Sequence, residues 1–204
     1  MPRADHDLHG NAPDRAPVAL LLIDVINDLD FEDGDALLEQ ARPAALRIAA
    51  LAAKARRAGI PVIYVNDNFG KWQSDLRNLL EHCTRPTARG REIVTALAPD
   101  PDDYFVLKPK HSGFFNTTLE LLLDHLHART LILTGIATNI CVLFTANDAY
   151  MRDFRLVIPE DCVAAVRPED GARALDLMRT VLKADTTPST ELDLRALARG
   201  ERAA

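Results

Sequence analysis

The stretch Leu131–Tyr150, LILTGIATNICVLFTANDAY, changes character at Gly135. Before the glycine lies an apolar run, Leu131 to Leu133. After it comes a Thr-Asn pair, and then Ile140, Val142, Leu143, Phe144, Ala146, Ala149 and Tyr150 follow at broadly helical spacing. This pattern predicts a strand, a tight turn and a helix, with Thr138 or Asn139 near the cap and Cys141 in the helix's first turn. Unpaired backbone N–H groups at a helix start favour negative charge, and a thiol is nucleophilic only as thiolate. Cys141 is therefore the leading candidate nucleophile. A lone Cys beside apolar residues is more often an inert core residue, so the assignment depends on its surroundings.

Other parts of the chain repeat the scheme. Val18–Ile23 is a continuous apolar run, as in a parallel strand buried on both faces, and Asp24 ends it. Pro61–Val65 predicts a second strand, running into Asn66-Asp67-Asn68-Phe69-Gly70. Tyr104–Leu107 predicts a third, ending at Lys108. Arg155–Ile158 supplies a fifth and Lys183–Thr186 a short sixth. Between them, Leu37, Ala41, Ala44, Ile48, Leu51 and Ala55 recur at helical spacing up to Gly59, with Pro43 marking a kink or a later start. Short helices are expected around Ser74–His82 and Arg91–Ala98. Thr117 and Glu120 have capping-box spacing ahead of Leu119, Leu122, Leu123 and Leu126, and Pro168 opens a helix towards Leu182. Strands alternating with helices predict a doubly wound, Rossmann-like α/β fold: a mainly parallel six-stranded sheet with helices on both faces. Ligands then belong at the carboxyl ends of the strands. Asp24, Asn66–Asn68, Lys108 and Gly135–Cys141 all fall at such ends, so the candidate chemistry converges on one rim.

The 204 residues suit one α/β domain, residues 17–204, behind an irregular, loosely attached arm over residues 1–16. A net charge of −6 gives no electrostatic footprint for nucleic acid. The longest apolar run, Val18–Ile23, is too short to cross a bilayer, and the N-terminus has no apolar core for a signal peptide, so a cytoplasmic protein without membrane contact is expected. Cys83, Cys141 and Cys162 have no CxxC spacing and read as reduced thiols. Neither a GxGxxG after a strand nor a GxxxxGK[ST] motif occurs, which removes the usual dinucleotide and phosphate loops. His125 and His127 face differently on a helix, His6 and His9 lie in the arm, and His82 and His111 stand isolated, so no metal-ligand set is expected.

GIATNICV resembles the active-site signature of the isochorismatase-like cysteine hydrolases, in the isochorismatase/nicotinamidase superfamily. Two further stretches match in the same order, LLLIDVINDL around Asp24 and VLKPKHSGFFNT around Lys108, and the resemblance spans roughly Val18 to Leu194. It implies a sheet ordered third, second, first, fourth, fifth, sixth strand, with Asp24 and the Cys141 turn on either side of the switch. It implies a cis peptide between Ile136 and Ala137, and the N–H groups of Ala137 and Cys141 as oxyanion donors. It also implies a homo-oligomer, dimer or tetramer, working on a small molecule; with no histidine set, no cofactor is expected.

A Cys–Lys–Asp set suits acyl transfer: Asp24 takes the proton from Cys141, while the Lys108 ammonium stabilises thiolate and carboxylate. The sequence also departs from the family. Where members often carry Met-Gln-Asn-Asp-Phe after the acidic residue, this chain has Val25-Ile26-Asn27-Asp28-Leu29, which makes the pocket wall more aliphatic. Nicotinamidase members build a metal site on Asp-x-His after the second strand; here the segment is Asp67-Asn68-Phe69. Leu29, Asn68, Phe69, Trp72 and Phe114, with Phe115 beside them, are the candidate substrate-binding residues. The leading expectation is an amide-type carbon–nitrogen hydrolase working through a thioester. The alternatives are vinyl-ether hydrolysis that uses Asp24 without the thiol, and a silent metabolite-binding module.

Overall fold

A computed structural model describes residues 16–70 and 74–200. Six strands form one sheet: β1 Val18–Ile23, β2 Val62–Asp67, β3 Tyr104–Lys108, β4 Thr130–Ile136, β5 Arg155–Val157 and β6 Val163–Ala164. Every pairing is parallel, in the order β3-β2-β1-β4-β5, with β6 also on β4. The helices are α1 Gly34–Arg57, α2 Leu76–Cys83, α3 Arg91–Ala96, α4 Leu119–His125, α5 Leu143–Tyr150, α6 Pro168–Thr180 and α7 Leu194–Ala198.

Side chains alternate across a strand, so each apolar run feeds two cores at once. Val18, Leu20 and Leu22 of β1 pack with α1, α2, α3 and α7, while Ala19, Leu21 and Ile23 pack with α4, α5 and α6. That is why β1 reads as an unbroken apolar run, with all six residues buried. Burial on this scale is worth roughly 1.5–3 kcal/mol for each large side chain. It fixes β1 at the centre of the sheet and leaves Asp24 at its edge.

Four local readings change. Pro43 sits inside an unbroken α1 on its exposed side, where solvent replaces the missing backbone donor. Thr118, rather than Thr117, holds the N-cap position of α4, with no side-chain cap bond; the Thr117 hydroxyl accepts from the Leu119 amide and donates to the Gly113 carbonyl, and Glu120 pairs with Arg152. Lys183–Thr186 contributes a single bridge, Asp185 beside Val157. The sixth strand comes instead from Val163–Ala164: β5 stops after three residues, and a tight turn over Glu160–Cys162 returns the chain to β4 at Gly135 and Ile136. Ala16, assigned to the arm, is buried and donates its amide to the Leu126 carbonyl. The rest of the arm lies outside the described residues. Among the described residues no helix is long and apolar enough to cross a membrane.

Candidate active site

Asp24 is the first residue past β1, and its backbone turns left-handed there, with φ +53°. Aspartate is one of the few L residues enriched in that region. The turn sends the carboxylate back across the end of the sheet. One oxygen, Oδ1, accepts from the Asp67 amide at 2.7 Å, and Oδ2 lies 2.8 Å from the Lys108 Nζ. Lys108 ends β3, one strand beyond β2, in register with Asp67. Its side chain therefore spans the end of β2, and it is completely buried. Besides Asp24, the ammonium donates to the Lys110 carbonyl at 3.1 Å and to the Cys141 Sγ at 3.6 Å, with Asp67 Oδ2 at 3.9 Å. An ammonium has three protons, and these partners use all of them.

Cys141 is delivered by a turn of π-helix, Thr138–Val142, ahead of α5. Wide turns of this kind often mark functional sites. The Ala137 carbonyl accepts from the amides of Ile140 and Val142, and the Thr145 hydroxyl donates to the Cys141 carbonyl at 2.7 Å. The Ile136–Ala137 peptide is cis. Gly135, at φ +117°, passes so close to β1 that a Cβ would fall on the Ile23 carbonyl oxygen. Only glycine fits there.

The electrostatics follow from burial around one cation. Burial pushes the Asp24 carboxyl up, against the opposing pull of Lys108, Cys141 and the Asp67 amide. Burial and the Asp24 charge push the Cys141 thiol up to about 12, with Lys108 opposing. Burial works against the charged form of Lys108 too, but Asp24, Cys141 and Asp67 together raise it. Cys141 and Asp24 thus share a side-chain hydrogen bond beside an ammonium whose charge its neighbours favour. Cys83 and Cys162, also pushed up to about 12 by burial, are fully buried; Asp28 and Arg85 act on Cys83, and Ser189, Asp161 and Arg47 on Cys162, but neither thiol has a buried ammonium beside it.

The remaining sequence candidates separate. Asn68 stays at the strand end with its side-chain oxygen accepting from the Gly70 amide. Phe69, with φ +52°, packs against the core next to the His82 ring, at 6.0 Å. Leu29 and Phe114 sit in the cores: Leu29 is 1% exposed, and Phe114 packs on Phe154 beneath the Arg152 guanidinium. Phe115 is half exposed. Trp72 lies outside the described residues. Sequence reading missed His111, whose Nδ1 is 3.8 Å from the Cys141 Sγ. The available signal was its place three residues past Lys108, in the loop that Lys108 itself holds. His82, likewise read as isolated, pairs with Asp28 at 2.6 Å.

The end of β2 does not fit a metal ion. Asp67 divides its carboxylate between the Phe69 amide and the Lys108 ammonium, and its neighbours Asn68 and Phe69 offer no imidazole. Among the described residues no group of three His, Cys, Asp or Glu side chains is placed to hold one. An open groove of about 390 Å³ lies on the far side of the π turn, lined by Thr138, Asp161, Ala164, Gly171 and Leu175 among others. None of Asp24, Lys108 or Cys141 faces it.

A thiol with a buried carboxylate and ammonium at the carboxyl edge of a doubly wound sheet defines an α/β protein with its site at the usual switch point. Residues 18–189 match the isochorismatase domain model, and the chain belongs to the isochorismatase family. It is 44% identical over 178 residues to the isochorismatase family protein YaaI of Bacillus subtilis, covering 87% of this chain and 97% of that one. It is 32% identical over 190 residues to the ureidoacrylate amidohydrolase RutB of Methylobacterium radiotolerans, covering 80% of this chain and 73% of that one. Among solved structures, N-carbamoylsarcosine amidase from Thermoplasma acidophilum superposes with a TM-score of 0.66 at 27% identity, over 86% of this chain and 98% of that one.

Proposed function

We propose that this protein is a cysteine hydrolase that cleaves an amide-type carbon–nitrogen bond of a small molecule through a thioester on Cys141. The observation that carries the reading is one ammonium, Lys108 Nζ, standing 2.8 Å from Asp24 and 3.6 Å from the Cys141 sulfur. The amidohydrolase relatives support the substrate class.

In the first half-reaction the Cys141 proton passes to Asp24 as the sulfur attacks the carbonyl carbon. Lys108 keeps the neighbouring charges balanced throughout. The oxyanion is received by the N–H groups of Ala137 and Cys141, which the wide turn holds in place before the reaction begins. Collapse breaks the C–N bond, and the nitrogen leaves with the proton held by Asp24. Water then attacks the thioester, gives a proton to Asp24, and releases the carboxylic acid as the thiol re-forms. No cofactor enters these steps. We place the enzyme in the cytoplasm as a homo-oligomer; Phe144, Tyr150, Met151, Leu177 and Val181 are large apolar side chains left exposed on and beside α5 and α6.

The test is a hydrolysis screen over small amides, ureides and carbamoyl compounds, reading ammonia release, followed by Cys141→Ala on whatever is turned over. The substitution should abolish turnover, and acid-quenched wild type should carry an acyl mass increment on Cys141. Turnover that survives in Cys141→Ala would point to thiol-free, Asp24-driven hydrolysis instead.

A further inference from the structure

The proposed set leaves one face of the sulfur unaccounted for. Asp24 and Lys108 approach Cys141 from the buried side, being 5% and 0% exposed. His111 approaches from solvent, with Nδ1 3.8 Å from Sγ, within the longer reach of hydrogen bonds to sulfur. Its ring also leans on Phe144, one helical turn past Ile140, with centroids 5.4 Å apart.

An exposed imidazole near a thiol means little unless its backbone is held, and here it is held on both sides. The Lys110 carbonyl accepts from Lys108 Nζ. The Ser112 hydroxyl donates to Asp148 on α5, and the Gly113 amide donates to the Thr145 hydroxyl at 3.0 Å. That same hydroxyl donates to the Cys141 carbonyl, so the loop bearing His111 and the turn bearing Cys141 share one hydrogen-bonded peg. Gly113 fits this close approach because a Cβ would press on Val65. The imidazole–sulfur geometry is thus built by residues on either side of His111.

Resting on Cys141 as the nucleophile, we infer that His111 acts directly on the reacting sulfur, donating its Nδ1–H to the thiolate as the thiol proton passes to Asp24. No proton moves to or from the ring. Asp24 and Cys141 share a side-chain hydrogen bond, so a thiol that gives its proton to Asp24 keeps lone pairs for His111, and the tautomer that matches this role carries hydrogen on Nδ1. The titratable groups facing the sulfur are then Asp24 from β1, Lys108 from β3 with Asp67 of β2 behind it, and His111. A hydrogen bond to a charged sulfur at a partly open site is worth roughly tenfold in the population of thiolate.

The test uses alkylation of Cys141 by iodoacetamide, followed by peptide mass mapping across the neutral and alkaline range, with Cys83 and Cys162 as buried internal references. His111→Phe keeps a ring against Phe144 but has no donor; His111→Asn carries an N–H the same number of bonds from Cα as Nδ1. Alkylation of Cys141 in the Phe variant should slow about tenfold with its profile displaced to higher pH, and the Asn variant should recover most of the rate. Wild-type rate and profile in His111→Phe would overturn the inference. So would an Asn variant as slow as the Phe variant, which would mean that the loop, not the donor, matters. Loss of the hydrolase reading would show separately, as turnover in Cys141→Ala.

Discussion

At the scale of single residues, the site is a balance of buried charges in which stability and activity can be separated. Lys108 is completely buried and compensates the buried Asp24. Lys108→Ala leaves that carboxylate without its ion pair, which costs about 3–5 kcal/mol when a buried partner is removed. Turnover should vanish and the urea midpoint should fall, whereas Lys110→Ala, whose backbone carbonyl alone serves the site, should keep most turnover. The double substitution Asp24→Asn with Lys108→Met should recover much of the lost stability and none of the activity. Recovered activity would remove Lys108 from the mechanism. In the proposed mechanism Asp24 must be ionised to take the thiol proton, and its carboxyl is raised, so the rate should fall as pH drops through a value above the ordinary 3.8. A rate profile flat down to pH 3.8 would contradict that role.

At the scale of elements, the working unit is the junction of β4, the π turn and α5. Gly135 lets β4 run against the Ile23 carbonyl, and the next residues swing Cys141 towards Asp24, which follows Ile23 directly. Gly135→Ala would place a methyl on that carbonyl at a φ of +117° that L residues avoid. It should therefore separate β4 from β1 at the site end, removing turnover and lowering stability by at least about 2 kcal/mol. Gly59→Ala, also at positive φ but with open space around it, is the control for backbone strain alone. Equal melting temperatures and activities for the two variants would refute the packing argument. Lys108, Gly135 and Cys141 stand out in the sequence because each ends or follows an apolar run. The π turn was read as ordinary helix because its extra residue leaves the apolar spacing almost unchanged.

At the scale of the whole molecule, the loop after β1 must be fastened to the distant α2–α3 region for the rim to close. Asp28 accepts from the Asp30 amide and pairs with His82, with Arg85 at hand, while Arg89 donates to the Leu29 and Phe31 carbonyls. Burial works against the Asp28 charge, but the Asp30 amide, His82 and Arg85 outweigh it and hold the carboxyl below 3.8. A carboxyl lowered on folding contributes stability that is present above its unfolded value and lost as pH falls through its folded one. Asp28→Asn should then cost about 1 kcal/mol at neutral pH, and the gap to wild type should close on acidification below 3.8. Urea midpoints that stay equally far apart at every pH would rule out the charge as the cause.

The sequence by itself determined the first five strands and the polar residues that follow β1, β2 and β3, because apolar runs and the residues that stop them are local patterns. It also carried the family likeness on three ordered motifs. Tertiary structure alone decided which atoms meet. Lys108 reaches Asp24 only because β2 lies between β3 and β1 in a shared register. His111 reaches Cys141 across 30 residues of chain only because Ser112 and Gly113 fasten its loop to α5. Likewise Leu29 and Phe114, candidate pocket residues by sequence, are buried in the two cores, which the chain forms from elements far apart in sequence. Such outcomes depend on competition between partners far apart in sequence, and no spacing along the chain encodes that competition.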